Sequence, residues 1–215
     1  MGIKFGKGKE IKAGSGKNMS EIEINLSKLG DGEKVKLRLV GEVCPNYRYW
    51  VVGRDGKKRP KLTPFFDRET ENLKSGDPLL GNGQKEFFYT VNCIDRSDGK
   101  MKILILKTTV YRYLYSLACD PDYGDPADEL NGYDLHIVKE RTGPQAQNVK
   151  YNVSPALKLT PLTDEEKALE LHNLEEIYDP GTEEDYLVWV RENTTILDNE
   201  AYGEPGHGTE DDIPF

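Results

Sequence analysis

The chain has 215 residues, 36% hydrophobic and 31% charged, with 29 Lys+Arg against 38 Asp+Glu for a formal net charge of −9. No run approaches the roughly 20 apolar residues of a membrane span, and the first residues, MGIKFGKGKE, lack the apolar centre of a secretory signal. A soluble, cytoplasmic protein with no membrane partner is expected. Cys44, Cys93 and Cys119 lack the close pairing of a zinc knuckle or redox site, and His136, His172 and His207 lie far apart. No phosphate-cradling glycine loop or nucleophile elbow occurs. We therefore expect no metal, no cofactor and no catalysis.

The net charge hides an asymmetry. Residues 1–120 carry 23 Lys+Arg and 15 Asp+Glu, whereas the remaining 95 carry 6 and 23. A basic half joined to an acidic half suggests nucleic-acid contact at one end and an interaction segment at the other.

Residues 1–19, with five lysines and five glycines, cannot bury enough apolar surface to offset ordering entropy and are expected to be a flexible basic arm. Residues 20–160 read as one domain. From Glu33 the period becomes two, Val35, Leu37 and Leu39 alternating with Lys34, Lys36 and Arg38, which predicts a strand with a wet face. A second strand, Tyr47 to Val52, follows Pro45. Gly53 to Phe66 is then a basic loop or long hairpin. In Glu86 to Ile94, Phe87, Tyr89, Val91 and Cys93 share the drier face and Phe88 points outward. The turn Asp95–Gly99 leads to a strand over Lys100–Leu106.

Thr108 or Thr109 can cap a helix through about Cys119, with Val110, Leu114 and Leu117 on one stripe, stopped by Asp120-Pro121. Tyr133–Arg141 and Val149–Val153 form a last hairpin. Three strands, one helix and two strands match a mainly β, five-stranded OB-fold barrel with its helix between strands three and four. Residues 161–197 form a helical extension. There Thr163 to Glu166 is a capping box opening a helix to about Tyr178, and a second helix can start at Thr182. Residues 198–215 have no Lys or Arg and are expected to be a disordered acidic tail.

Sequence-tolerant binding of a single strand needs cations that follow the phosphates and flat side chains that stack bases. The candidates are Lys34, Lys36 and Arg38 on the first strand, Tyr47, Arg48, Tyr49 and Trp50 on the second, Arg54, Lys57, Lys58, Arg59 and Lys61 in the basic segment, and the rings of Phe65, Phe66 and Phe88. Because strand sides alternate, either Tyr47 and Tyr49 or Arg48 and Trp50 face out. The competing reading makes these rings barrel core.

The final residues, Glu210-Asp211-Asp212-Ile213-Pro214-Phe215, resemble the acidic, Ile-Pro-Phe-ending tip of bacterial single-stranded-DNA-binding proteins. That resemblance implies a docking peptide for replication and repair proteins, in which Asp211 and Asp212 meet basic rims and Phe215, after Ile213 and Pro214, fills an apolar pocket. The layout of basic arm, OB core and acidic tail resembles bacteriophage single-stranded-DNA-binding proteins. Some of these hold a structural zinc, a spacing that the cysteines and histidines here do not match. The expected function is non-enzymatic coating of single-stranded DNA in replication, recombination or repair. The alternatives are an RNA-binding OB protein, an acidic DNA-mimicking or scaffolding protein, and an enzyme such as a nuclease.

Overall fold

The alternation that begins at Lys34 is carried into one strand of 19 residues in the computed structural model, which describes residues 10–11, 19–145 and 148–198. In chain order the first elements are β1 (Glu10–Ile11), α1 (Met19–Ile22), β2 (Glu23–Asn25), the long strand β3 (Lys34–Val52), β4 (Lys58–Leu62), β5 (Phe66–Asp67) and β6 (Asn72–Leu73). They are followed by β7 (Gln84–Asp95), β8 (Met101–Lys107), α2 (Thr108–Cys119), β9 (Tyr133–Arg141) and β10 (Val149–Leu159). The last are α3 (Asp164–Lys167), β11 (Leu171–His172), α4 (Leu174–Ile177) and α5 (Glu183–Asn193). Among the described residues no helix is long and apolar enough to cross a membrane.

The main sheet has the order β10-β9-β3-β7-β8-β2, with β4 also on β3. Of the strands expected before α2, the first two are continuous in β3 and the others are β7 and β8; the two expected after it are β9 and β10. The expected closed barrel is not. The described sheet runs from β10 to β2 without closing, because β2 lies parallel to β8 (Glu23 opposite Ile103, Asn25 opposite Ile105) and takes the edge that a closing strand would use. The fold is therefore mainly β, with a large mixed sheet and few helices.

Two compact units divide the chain: Met1–Tyr47 with Phe66–Asn72 and Phe87–Asp179, and Arg48–Phe65 with Leu73–Glu86 and Pro180–Phe215. The expected helical extension is split between them after Asp179.

In the first unit, Leu37, Leu39, Tyr89, Val91, Cys93, Leu104 and Leu106 from the strands meet Val110, Leu114 and Leu117 of α2 in one core. The helix thus buries the stripe its sequence spacing specifies, but the expected threonine cap does not form: its N-cap is Lys107, and the Thr108 hydroxyl donates to the Phe87 carbonyl at 3.3 Å. β9 pairs antiparallel with β3 (Lys34 opposite Val138, Leu37 opposite Leu135) and with β10 (Arg141 opposite Val149), leaving β10 as an edge. The opposite face of β7 is also covered. Phe88 packs edge-on against Tyr178, and the Asn92 amide brackets the backbone of His172, donating to its carbonyl and accepting from its N–H, both at 3.0 Å.

That bracket corrects the helix expected from Thr163 to Tyr178. The capping box forms, with Glu166 N donating to Thr163 Oγ1 at 3.2 Å and Thr163 N to Glu166 Oε2 at 3.0 Å. The first helix nevertheless ends at Lys167. Leu171–His172 is extended beside β1, and Asn173 caps α4 anew.

In the second unit, Arg48–Val52 of β3 and Lys58–Leu62 form a hairpin (Arg48 opposite Leu62, Val52 opposite Lys58). Gly56 takes the left-handed conformation in its turn, φ 75°. α5, capped by Thr182 as expected, buries Tyr186 and Val190. The Tyr186 hydroxyl donates to Asp77 at 2.9 Å, and Thr63 donates to the other carboxylate oxygen at 2.7 Å.

Candidate nucleic-acid interface

The alternation of β3 decides between the two outward sets of its second half. Tyr49 and Val51 go into the core of the second unit, so Tyr49 is no stacking platform, while Arg48 and Trp50 remain partly accessible. One carboxylate orders both: Glu86 Oε2 accepts from Arg48 Nε at 2.7 Å and from Trp50 Nε1 at 2.6 Å. The guanidinium lies 5.2 Å from the centre of the Trp50 ring. The result is a pre-positioned cation and ring with an acid already beneath them.

The hairpin's other cations are engaged in the same way. Arg54 donates to both oxygens of Asp198 at 2.8 and 2.5 Å and to the Arg191 carbonyl at 2.9 Å. Arg59 forms a forked pair with Asp55 at 2.8 and 2.6 Å, which holds the Asp55 carboxyl below its ordinary range. Lys58 meets the Gln84 amide, Lys57 is exposed, and the Lys61 ammonium lies over the rings of Tyr186 and Trp189 at 5.7 and 5.3 Å. Phe65, a candidate platform, is instead buried against Tyr186 with ring centres 5.9 Å apart. Exposed ion pairs contribute little to stability, so phosphates can compete for these arginines, but only by displacing an acid.

In the first unit Lys34 is exposed, and Lys36 pairs with the nearly buried Asp134 at 3.1 Å. Arg38 and Phe88, both expected to face water, are 0% exposed. The Arg38 guanidinium donates to the carbonyls of Thr160 and Leu39 at 3.1 Å and to those of Pro126 and Asp128. It is a structural cation pinning the segment after α2. Phe88 is internal because the chain at Tyr178 covers its side of β7. Both corrections have one cause, a sheet with two covered faces where the alternation suggested one.

Tyr47 and Phe66 do come together, with ring centres 5.6 Å apart and a 29° interplanar angle, and they start a longer row. Phe87 lies 6.4 Å from Tyr47 and 5.5 Å from Phe66. Phe87 is followed by Tyr89 at 4.8 Å, Tyr89 by Tyr111 at 3.6 Å in a 19° stack, and Tyr111 by Tyr115 at 6.3 Å. Tyr47, Phe66, Phe87 and Tyr111 are half-buried, and Tyr115 is exposed. The Tyr89 hydroxyl donates to Glu71 at 3.1 Å, and burial together with that carboxylate pushes its pKa well up, so it remains a donor.

The sequence reading places Phe87 and Tyr89 on a dry face and Tyr111 and Tyr115 in helix packing, so it does not name them as candidates. The signal was rings at i, i+2 on a strand and i, i+4 on the next helix. Tyr89 is buried, so the ring surface that such a row can offer to bases lies on Phe66, Tyr47, Phe87, Tyr111 and Tyr115.

Asp211, Asp212, Ile213, Pro214 and Phe215, the arm over residues 1–9 and 12–18, and the tail beyond Asp198 lie outside the described residues. Among the described residues no group of three His, Cys, Asp or Glu side chains could hold a metal ion.

No protein-family model matches the chain. Over 141 residues it is 28% identical to the "Probable ssDNA-binding protein" of Escherichia phage T5, an alignment covering 58% of this chain and 53% of that protein. The chain spans about half the length of the curated relative it matches.

Proposed function

We propose that the protein is a phage-encoded, non-enzymatic single-stranded-DNA-binding protein. The observation that carries this reading is the ring row whose accessible members are Phe66, Tyr47, Phe87, Tyr111 and Tyr115, joined by the buried Tyr89. Stacking contributes about 1–3 kcal/mol per base and tolerates any base, so a strand can be held without reading its sequence. The description of the phage T5 relative supports the same class. The strand order β10-β9-β3-β7-β8 around α2 supports an OB-type framework.

In this reading the protein coats strands exposed in replication, recombination or repair, and the tip Glu210–Phe215 docks partner enzymes. Fluorescence titration with oligo-dT, a matched duplex and a matched RNA at two salt concentrations tests the class. Tight, salt-sensitive dT binding with weak duplex binding is expected. Equal or tighter RNA binding, or metal-dependent loss of the DNA, overturns it. Phe87→Ala and Tyr111→Ala should each weaken dT binding with little change in salt slope. Deleting Phe215 should leave DNA affinity unchanged and abolish pull-down of partner enzymes.

A further inference from the structure

α2 has a second aromatic flank. Tyr113 stands about 160° of helix rotation away from Tyr111, the ring that continues the row. On that side a cavity of about 830 Å³ lies between α2 and the β9–β10 hairpin, within the range of about 300–1,000 Å³ typical of ligand sites. Its walls carry Lys107, Lys139, Arg141 and Lys150 together with Tyr113 and Tyr151, and among the described residues no Asp or Glu lines it. In a chain with more acids than bases, a wall that carries Lys139, Arg141 and Lys150 and no lining carboxylate is a concentration of positive field.

The pattern of contacts sharpens this. Lys139 is buried, and its ammonium donates to the carbonyls of Ser27 and Leu29 at 2.7 and 2.5 Å. Its charge is held by dipoles and leaves a net positive floor. Arg141 and Lys150 are exposed at the hairpin, where Arg141 stands opposite Val149 and Lys150 opposite Glu140; the Arg141 backbone N–H donates to Asp31 at 2.8 Å, and neither basic side chain is in an ion pair among the described residues. Tyr113 is exposed and Tyr151 half-buried, so each ring keeps accessible surface beside the cations.

We infer that this groove is a second contact for the nucleic-acid strand, separate from the ring row. Arg141 and Lys150 take phosphate oxygens above Lys139, and a base stacks on Tyr113 or Tyr151. The assignment rests on the proposed single-strand binding and adds a place where the backbone is held. Cations outside an ion pair gain more from a phosphate than cations that must first leave a carboxylate.

The test uses the full chain and labelled oligo-dT across a salt series. Replacing Arg141→Ala and Lys150→Ala together should lower the slope of log K against log salt by about 0.7 for each phosphate contact removed. The charge-preserving pair Arg141→Lys with Lys150→Arg should keep it, which separates charge from folding. Tyr113→Ala should weaken binding about fivefold or more with the slope unchanged, and Tyr113→Phe should not. If the unmodified protein binds dT while the double Ala variant retains both affinity and slope, the groove assignment is overturned and the functional reading stands. If the unmodified protein does not bind dT, the functional reading fails, and the groove assignment with it.

Discussion

The hairpin of the second unit and the groove of the first both concentrate positive charge, and they differ in what those charges face. In the hairpin region Arg48, Arg54 and Arg59 each have a carboxylate, from Glu86, Asp198 and Asp55, and Lys61 lies over aromatic rings. In the groove Lys107, Lys139, Arg141 and Lys150 line a cavity with no described acid in its walls. A run of basic residues in sequence is thus a weaker guide to an anion site than scattered cations folded together outside ion pairs. The electrostatic worth of a cation depends on what it must give up when a phosphate arrives.

Arg38 is the extreme case of an engaged cation, and changing it should have the largest effect. Arg38→Met leaves the Pro126 carbonyl, in a buried contact, and the Asp128 and Thr160 carbonyls, in part-buried ones, without their donor, and the expected loss is about 3 kcal/mol in urea denaturation. The salt slope of DNA binding should not move. A reduced slope with unchanged stability would break the distinction between engaged and available cations.

The hairpin comes next. Replacing Lys57, Lys58, Arg59 and Lys61 together should lower the salt slope by less than about 0.7 per residue changed, because Arg59 must be freed from Asp55 and Lys61 serves the rings. A drop in full proportion to the charges removed would put the hairpin on equal footing with the groove. A smaller effect of opposite sign sharpens the point: Asp55→Asn unmasks Arg59 and should tighten dT binding about twofold at low salt, with the gain vanishing as salt rises. Unchanged affinity at every salt concentration would mean that Arg59 does not meet the strand.

What could be read from the sequence, and what could not, follows the range of the interactions involved. The alternation about Leu37, the stripe Val110–Leu114–Leu117 and the caps at Thr163 and Thr182 are local patterns, and each appears as a strand, a helix or a helix start. Pro45 suggests a break between two strands, yet β3 passes through it. It lies between the stretch that pairs with β9, ending at Leu37, and the stretch that pairs with β4, starting at Arg48. The inward turn of Arg38 depends on carbonyls about 90 and 122 residues away, and the interrupted helix near His172 depends on Asn92, 80 residues away. No window of sequence holds those partners. The same distance hid the groove, whose cations come from the end of β8, from β9 and from β10.

The smallest expected effect concerns pH and asks whether phosphates also run over the Lys34–Lys36 face. His136 stands opposite Lys36 in the β3–β9 ladder. Burial, followed by the charges of Lys34 and Lys36, pulls its pKa below the ordinary value, with Asp134 opposing. The folded state therefore binds this proton less readily than the unfolded chain. The neutral ring contributes stability that is full above about pH 6.5 and is lost as pH falls through the lowered folded value. A phosphate on Lys34 and Lys36 would cancel their repulsion and raise the pKa again, so binding would take up a proton. Affinity for dT should then rise about twofold between pH 7.5 and 6 in the unmodified protein, and not in His136→Asn, whose side chain does not titrate. Equal pH profiles for the two proteins would place the backbone of the strand away from this face and leave the groove as the cationic contact of the first unit.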